Sequence, residues 1–197
     1  MPWSGLALQL LRDSPTGCQV QGKKTLVLLK KSNPPLLEWF QSPIVYSERR
    51  EAVDKIKALI PRYFSPIACM YHYLRMAEGN YRKYLHRDEV LPKKYFYVLR
   101  PLLACRWIEQ ALGPVPMELT SLVSSTLEAG ALTEEINALI ESKRTGEVRD
   151  DERFPEIRKL FDTELGRLSM ESLEAPENKG SEELDQCFRF VLDLVNG

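Results

Sequence analysis

Apolar residues recur three and four positions apart through most of this chain, a spacing that predicts helices. After a short apolar patch (Leu6, Leu8, Leu10, Leu11), Asp13-Ser14-Pro15-Thr16-Gly17 reads as a turn. The stretch KKTLVLLKK from Lys23 alternates too weakly to be assigned by pattern alone, and its flanks favour helix. Asn33 precedes a proline and is pushed out of the α region. Pro34 or Pro35 then opens a short segment that buries Leu36, Leu37, Trp39 and Phe40. Ser42-Pro43 breaks it, and Ile44-Val45-Tyr46 runs extended. Ser47 reads as the N-cap of a helix with Glu48 and Glu51 in its first turn. That helix carries Val53, Ile56, Leu59 and Ile60 on one face and stops at Pro61.

Two longer helices follow and form the centre of the expected fold. Ser65 caps the first, which runs from Pro66 to about Leu85 with Ile67, Met70, Tyr71, Leu74, Ala77, Tyr81 and Leu85 at helical spacing. Gly79-Asn80 lowers its propensity and offers a place for another backbone to come close. The second, from Lys93 to about Leu112, begins KKYFYVLRPLLACRWI. Wound as a helix, it puts Lys93, Tyr97, Arg100 and Ala104 near one line and Val98, Leu102, Cys105 and Ile108 near another. Pro101 removes one hydrogen bond and crowds the carbonyl of Tyr97, which predicts a kink or two helices meeting at Arg100.

The remainder reads as four more helices. A short one covers Met117–Val123, and Thr133 caps another that runs to about Arg144 and closes at Gly146. Phe154, Ile157, Leu160, Phe161, Leu165 and Leu168 line one face of a helix from about Arg153 to Leu173. Ser181 with Glu183 starts the last, which ends near Val195. The pattern predicts an all-α protein, a single irregular helical domain of about seven to nine helices. Residues 1–21 form a divergent N-terminal segment and 22–197 the helical domain.

Composition adds little to this except in its charge. Apolar residues at 44% and charged residues at 28% fit a soluble globular protein. No run approaches the roughly 20 apolar residues of a membrane span. The N-terminus has neither the leading basic residues nor the small-residue cleavage site of a signal peptide, so a cytoplasmic protein is expected. The four cysteines are scattered without a C-x-x-C pair, and with two histidines they speak against a zinc site. Net charge is −1, but residues 43–106 hold 13 Lys/Arg against 6 Asp/Glu, while 107–197 hold 9 against 20. The basic part either meets an anionic partner, such as a nucleotide or nucleic acid, or is neutralised by the acidic part within the fold.

Common catalytic signatures are missing from the sequence. It contains no G-x-x-x-x-G-K-[ST], no G-x-G-x-x-G and no G-x-S-x-G. Asp150-Asp151-Glu152 fits a solvated helix start better than a metal site. Asp162 and Glu164 point about 200° apart on a helix and would not share an ion.

Three stretches carry a resemblance: KSNPPLLEWFQSPIVY (31–46), YHYLRMAEGNYRKYL (71–85) and KKYFYVLRPLLACRWIE (93–109). In order and spacing they resemble the bacterial predicted nucleotidyltransferases of the DNA polymerase beta superfamily, the group linked to RNA repair, over roughly residues 22 to 170. Members of that superfamily carry a Gly-Ser turn followed by a D-x-D pair on a small mixed sheet, which binds the triphosphate and two magnesium ions. Here the only Gly-Ser, Gly180-Ser181, precedes a helix with no D-x-D after it, and no sheet-forming stretch lies upstream of K-S-N-P.

The resemblance therefore implies the helical part of such an enzyme, with catalysis weak or absent and no cofactor in this chain, magnesium belonging to the complete family enzyme. Its substrate, a nucleotide or RNA, would be held by Lys93, Lys94, Tyr97, Arg100, His72, Arg75 and Lys83, gripping phosphate as point charges and forks. Truncation, a repurposed binding module, or a separate chain completing the sheet all fit this pattern. The alternative is a non-enzymatic assembly module that dimerises through surface exposed by the missing sheet, notably Leu26, Leu28, Leu29 and Trp39.

Overall fold

The computed structural model describes residues 15–45, 49–85, 91–145, 154–169 and 179–196. Among these are ten helical segments and no strand: α1 (Pro15–Lys30), α2 (Pro34–Trp39), α3 (Arg50–Lys57), α4 (Ile60–Tyr63), α5 (Pro66–Tyr84), α6 (Pro92–Glu109), α7 (Leu119–Thr126), α8 (Ala131–Thr145), α9 (Pro155–Ser169) and α10 (Glu182–Asn196). One of them, α4, is a single four-residue turn, so the nine longer helices match the expected all-α class. The chain divides into two compact units, one from the residues up to Ala68 together with the C-terminal helix, the other from Cys69 to Glu174. None of the described helices is long and apolar enough to cross a membrane.

In the first unit α1 begins at Pro15, so Thr16 and Gly17 are helical where a turn was expected. A proline in a first turn forfeits only an N–H that has no helical partner, and the turn-rich spelling is therefore compatible with a helix start. Helix α10 packs along α1, and Leu26 and Leu29 are buried there with Leu184, Cys187 and Val191. This corrects the expectation that Leu26, Leu28, Leu29 and Trp39 are left exposed: Leu26 and Leu29 are in the core, and Leu28 and Trp39 are half-buried. The C-terminal helix, rather than a sheet, covers that side of α1.

The chain leaves α1 through Ser32, whose φ of 51° is a left-handed conformation usually taken by glycine. Its N–H bonds the carbonyl of Leu29 (2.8 Å), and its buried hydroxyl accepts the N–H of Ser65 (2.8 Å). Asn33, extended as its proline neighbour requires, caps α2 by accepting the N–H of Leu36 (3.2 Å). Ser65 does the same for α5 through Ala68 (3.3 Å). Ser47, read as the cap of α3, lies outside the described residues; the cap position is Arg49, whose guanidinium instead donates to Leu194 O at the end of α10 (2.6 Å). Tyr63 is buried and donates to Gly180 O (3.0 Å), while Lys179 donates to Arg62 O and Phe64 O (2.7 and 3.0 Å). Backbone carbonyls at the α4 turn thus find donors from the segment entering α10.

The second unit is built on α6. Val98, Leu99, Leu102, Leu103, Ala104 and Cys105 are fully buried, as expected of a helix that is apolar on most sides. Helices α7, α8 and α9 pack against it. Phe154, Ile157, Leu160, Phe161 and Leu168 of the α9 stretch are buried as the periodicity predicts, and Leu165 is half-buried. The first turn of α9 is capped from another helix, with the Glu135 carboxylate of α8 accepting the N–H groups of Glu156 (3.0 Å) and Ile157 (3.1 Å). Thr133 is not the N-cap of α8, which starts two residues earlier; its hydroxyl bonds back to Gly130. The Gly146 expected to close α8 lies outside the described residues.

Helix α6 runs unbroken through Pro101, so it is not two helices meeting at Arg100. Proline leaves the Tyr97 carbonyl without its i+4 donor. Asn80 of α5 supplies a replacement, its side-chain amide donating to Tyr97 O at 2.9 Å. The close approach expected at Gly79-Asn80 is thus made by the Asn80 side chain. A Cβ placed on Gly79 would meet nothing within 4 Å.

Glu164 of α9 is buried (3% exposed) between two guanidiniums, Arg106 (2.8 Å) and Arg167 (2.7 Å). Arg167 also forks onto Glu109 (2.6 and 2.8 Å). Burial pushes the Glu164 carboxyl up, but the hydrogen bonds from Arg106 and Arg167 and their charges together outweigh it and hold the group below its ordinary value of 4.5.

Two outcomes follow. In urea titrations Asn80→Ala costs about 1 kcal/mol, the worth of one hydrogen bond, and costs much less in a Pro101→Ala background, where residue 101 regains an N–H for Tyr97 O; equal costs in both backgrounds would contradict this pairing. Glu164→Gln costs about 2–3 kcal/mol at pH 7, below the full penalty for a broken buried pair because both guanidiniums keep some solvent. A folded pKa below the unfolded one gives stability that is complete above about 4.5 and lost as pH falls through the folded value. The gap between wild type and variant therefore narrows in acid, and a gap independent of pH would contradict the assignment.

Candidate functional site

Asn80, Lys83 and Tyr84 fall within one turn and a half at the end of α5, and Lys94 and Tyr97 within one turn at the start of α6. The Asn80–Tyr97 hydrogen bond holds the two segments side by side. Around it, the Lys94 ammonium sits 3.7 Å from the centre of the Tyr84 ring and 5.0 Å from that of Tyr97. Lys83 lies 5.2 Å from the Tyr84 ring. The two tyrosine rings are 5.8 Å apart and tilted by 58°. Tyr97 is 44% exposed, so its ring is open to solvent.

The seven residues singled out from sequence do not all meet here. Lys83, Lys94 and Tyr97 do, and Lys93 stands exposed beside Lys94. Arg100 lies on the same side of α6 as Lys93 but is engaged elsewhere, donating to the carbonyls of Pro116 (3.1 Å) and Met117 (3.3 Å). Arg75 pairs with Glu78 (3.2 Å) on its own helix, about 12 Å along α5 from Lys83 at 1.5 Å per residue. His72 is about 16 Å from Lys83 by the same measure, half-buried, with its ring edge-on to Tyr73 at 5.5 Å. Sequence reasoning missed Tyr84 and Asn80. The signal for Tyr84 was its place beside Lys83 at a helix end. Asn80 reads from sequence as a weak helix former and a place of close backbone approach, not as a donor to Tyr97 O.

Electrostatics set this site apart from the other tyrosines. Lys83, through a hydrogen bond and its charge, and then Lys94 hold the Tyr84 phenol below its ordinary value. Tyr81 is the opposite case: its hydroxyl donates to Asp162 (2.5 Å), and that bond, with burial, pushes the phenol up to about 12. The Cys105 thiol is also pushed up to about 12, first by burial, and Cys187 is raised for the same reason. Such thiols are inert packing groups. Among the described residues no group of three or more His, Cys, Asp or Glu side chains could hold a metal ion. As expected, Asp162 and Glu164 diverge, one to Tyr81 and the other to Arg106 and Arg167. What the arrangement offers, among the described residues, is a cationic, aromatic surface.

Tyr84, followed by NMR with labelled tyrosine, should titrate below 10.0, and both Lys83→Ala and Lys94→Ala should raise it, the first by more. A wild-type value at or above the ordinary one would remove the electrostatic coupling inferred from the geometry.

Comparison with known proteins gives the family. The sequence profile described as the RNA repair pathway DNA polymerase beta family (RlaP) matches residues 21–190. The chain is 42% identical over 174 residues to Uncharacterized protein YcgL of Bacillus subtilis (strain 168). That match covers 88% of this chain and 66% of the relative, so the chain spans just under two thirds of the relative's length. No solved structure matches. With the family profile covering most of its length, the chain belongs to the RNA repair pathway DNA polymerase beta family.

Proposed function

We propose that this chain is the substrate-holding helical part of an RNA-repair nucleotidyltransferase, gripping an RNA strand through Lys83, Tyr84, Lys94 and Tyr97. The observation that carries the reading is the Lys94 ammonium packed between two tyrosine rings beside a second lysine. Every nucleobase has a π-face that stacks on an exposed tyrosine, and every phosphate is drawn to an ammonium, so this pairing suits a strand whatever its sequence. Family membership supports a nucleotidyltransferase-like role. Arg100, Arg75 and His72 have no part in this grip, being engaged or distant.

Among the described residues the donor set does not fit a two-magnesium centre. Among the described carboxylates, Glu135 caps a helix, Asp162 accepts from Tyr81, and Glu164 and Glu109 are paired with arginines. The reading therefore gives these helices a grip and no metal-dependent step.

Fluorescence anisotropy with a labelled single-stranded RNA tests it. Binding falls as salt rises, by about 0.7 log units per log unit of salt for each phosphate contact. Lys94→Ala and Tyr97→Ala each weaken it about 5- to 50-fold, the scale of one lost stacked base. Absence of binding at low salt, or binding indifferent to both substitutions, overturns the reading. Transfer of label from nucleoside triphosphates to RNA by this chain with magnesium would overturn the assignment of chemistry elsewhere.

A further inference from the structure

Helix α6 presents more to solvent than Lys94 and Tyr97. At 100° per residue, its exposed and half-buried side chains follow one another around the helix as Lys94, Tyr97, Lys93, Arg100 and Phe96. Phe96 is half-buried, and the ammonium of Lys143, at the end of α8, lies 5.1 Å from its ring centre. Lys143 is exposed, and α8 packs on α6. Cation and aromatic are thus paired a second time across α6, and Lys93 stands on the arc between the two pairs.

We propose that Phe96 and Lys143 form a second stacking site, so that the surface takes an unpaired single strand of at least two nucleotides laid across α6, not a duplex. This rests on the reading of the first site as an RNA grip. One base stacks at Tyr97 and Tyr84, the next at Phe96, and Lys93 meets the phosphate between them. The chemistry selects single strands because a base inside a duplex has both faces covered by its neighbours, whereas an unpaired base can turn out of the stack and give a face to a ring. Neighbouring positions on a helix point about 100° apart, so Phe96 and Tyr97 cannot hold the two faces of one base. They serve two different bases.

The test uses the whole chain and two labelled RNAs, a 12-nucleotide single strand and the same strand annealed to its complement as a blunt duplex, at low salt. Phe96→Leu keeps apolar packing but removes the aromatic face, Phe96→Trp restores it, and Lys143→Ala changes an exposed residue. Expected are tighter binding of the single strand than the duplex by at least tenfold, weakening of about 5- to 30-fold for Phe96→Leu and Lys143→Ala, and recovery with Phe96→Trp. Loss of binding with Tyr97→Ala but none with Phe96→Leu or Lys143→Ala would overturn the second site and leave the first standing. Duplex binding equal to the single strand would overturn the single-strand selectivity. No binding of either RNA by wild type would overturn both readings together.

Discussion

One hydrogen bond governs the arrangement of the second unit around its exposed aromatic surface. Pro101 sits inside α6 and deprives the Tyr97 carbonyl of its helical donor, an arrangement that normally bends a helix or admits water. Asn80 answers with a side-chain amide from α5. The helix stays continuous, and the ends of two helices are fixed at the residue whose side chain faces solvent. Tyr84 is one turn beyond Asn80, and Lys94 one turn before Tyr97, so each is placed by the same contact. A defect in one helix has become the register mark for two.

Much of this was legible in the sequence, and the part that was not has a physical reason. Helical periodicity finds buried faces because burial depends on spacing alone: Val98, Leu102 and Cys105 lie in the core as their line on the helix requires. Caps set by residues three apart, Asn33 and Ser65, were equally readable. Long-range satisfaction was not. Nothing local to α9 announces that Glu135, some twenty residues earlier, takes its first N–H groups, and nothing near Pro101 names Asn80 as the donor. The sequence pattern also made Arg100 a ligand for phosphate, whereas the loop after α6 offers it two carbonyls first.

The candidate site shows the same division. Lysines and a tyrosine on one face of α6 were readable from their spacing. Which neighbours they would meet depends on how α5 lies alongside, and that is a tertiary fact. Tyr84 entered the site this way, while His72 and Arg75, on the same helix and of the right chemistry, are simply too far along it. Carboxylates illustrate the complementary point: acidic residues are numerous in the C-terminal half, and three of those described, Glu135, Glu164 and Glu109, are engaged in capping or in arginine pairs.

The buried thiols have a use that packing alone does not suggest. Cys187 lies in the first unit and Cys69 and Cys105 in the second, each about 1% exposed or less. A thiol reagent can reach them only when the surrounding helices part, so the rate at which each is labelled is a clock for the opening of its own unit. Cys187 times the separation of α10 from α1, and Cys105 times the release of α6. With Cys18 replaced, one labelling course followed by mass spectrometry would show whether the two units open together or one at a time.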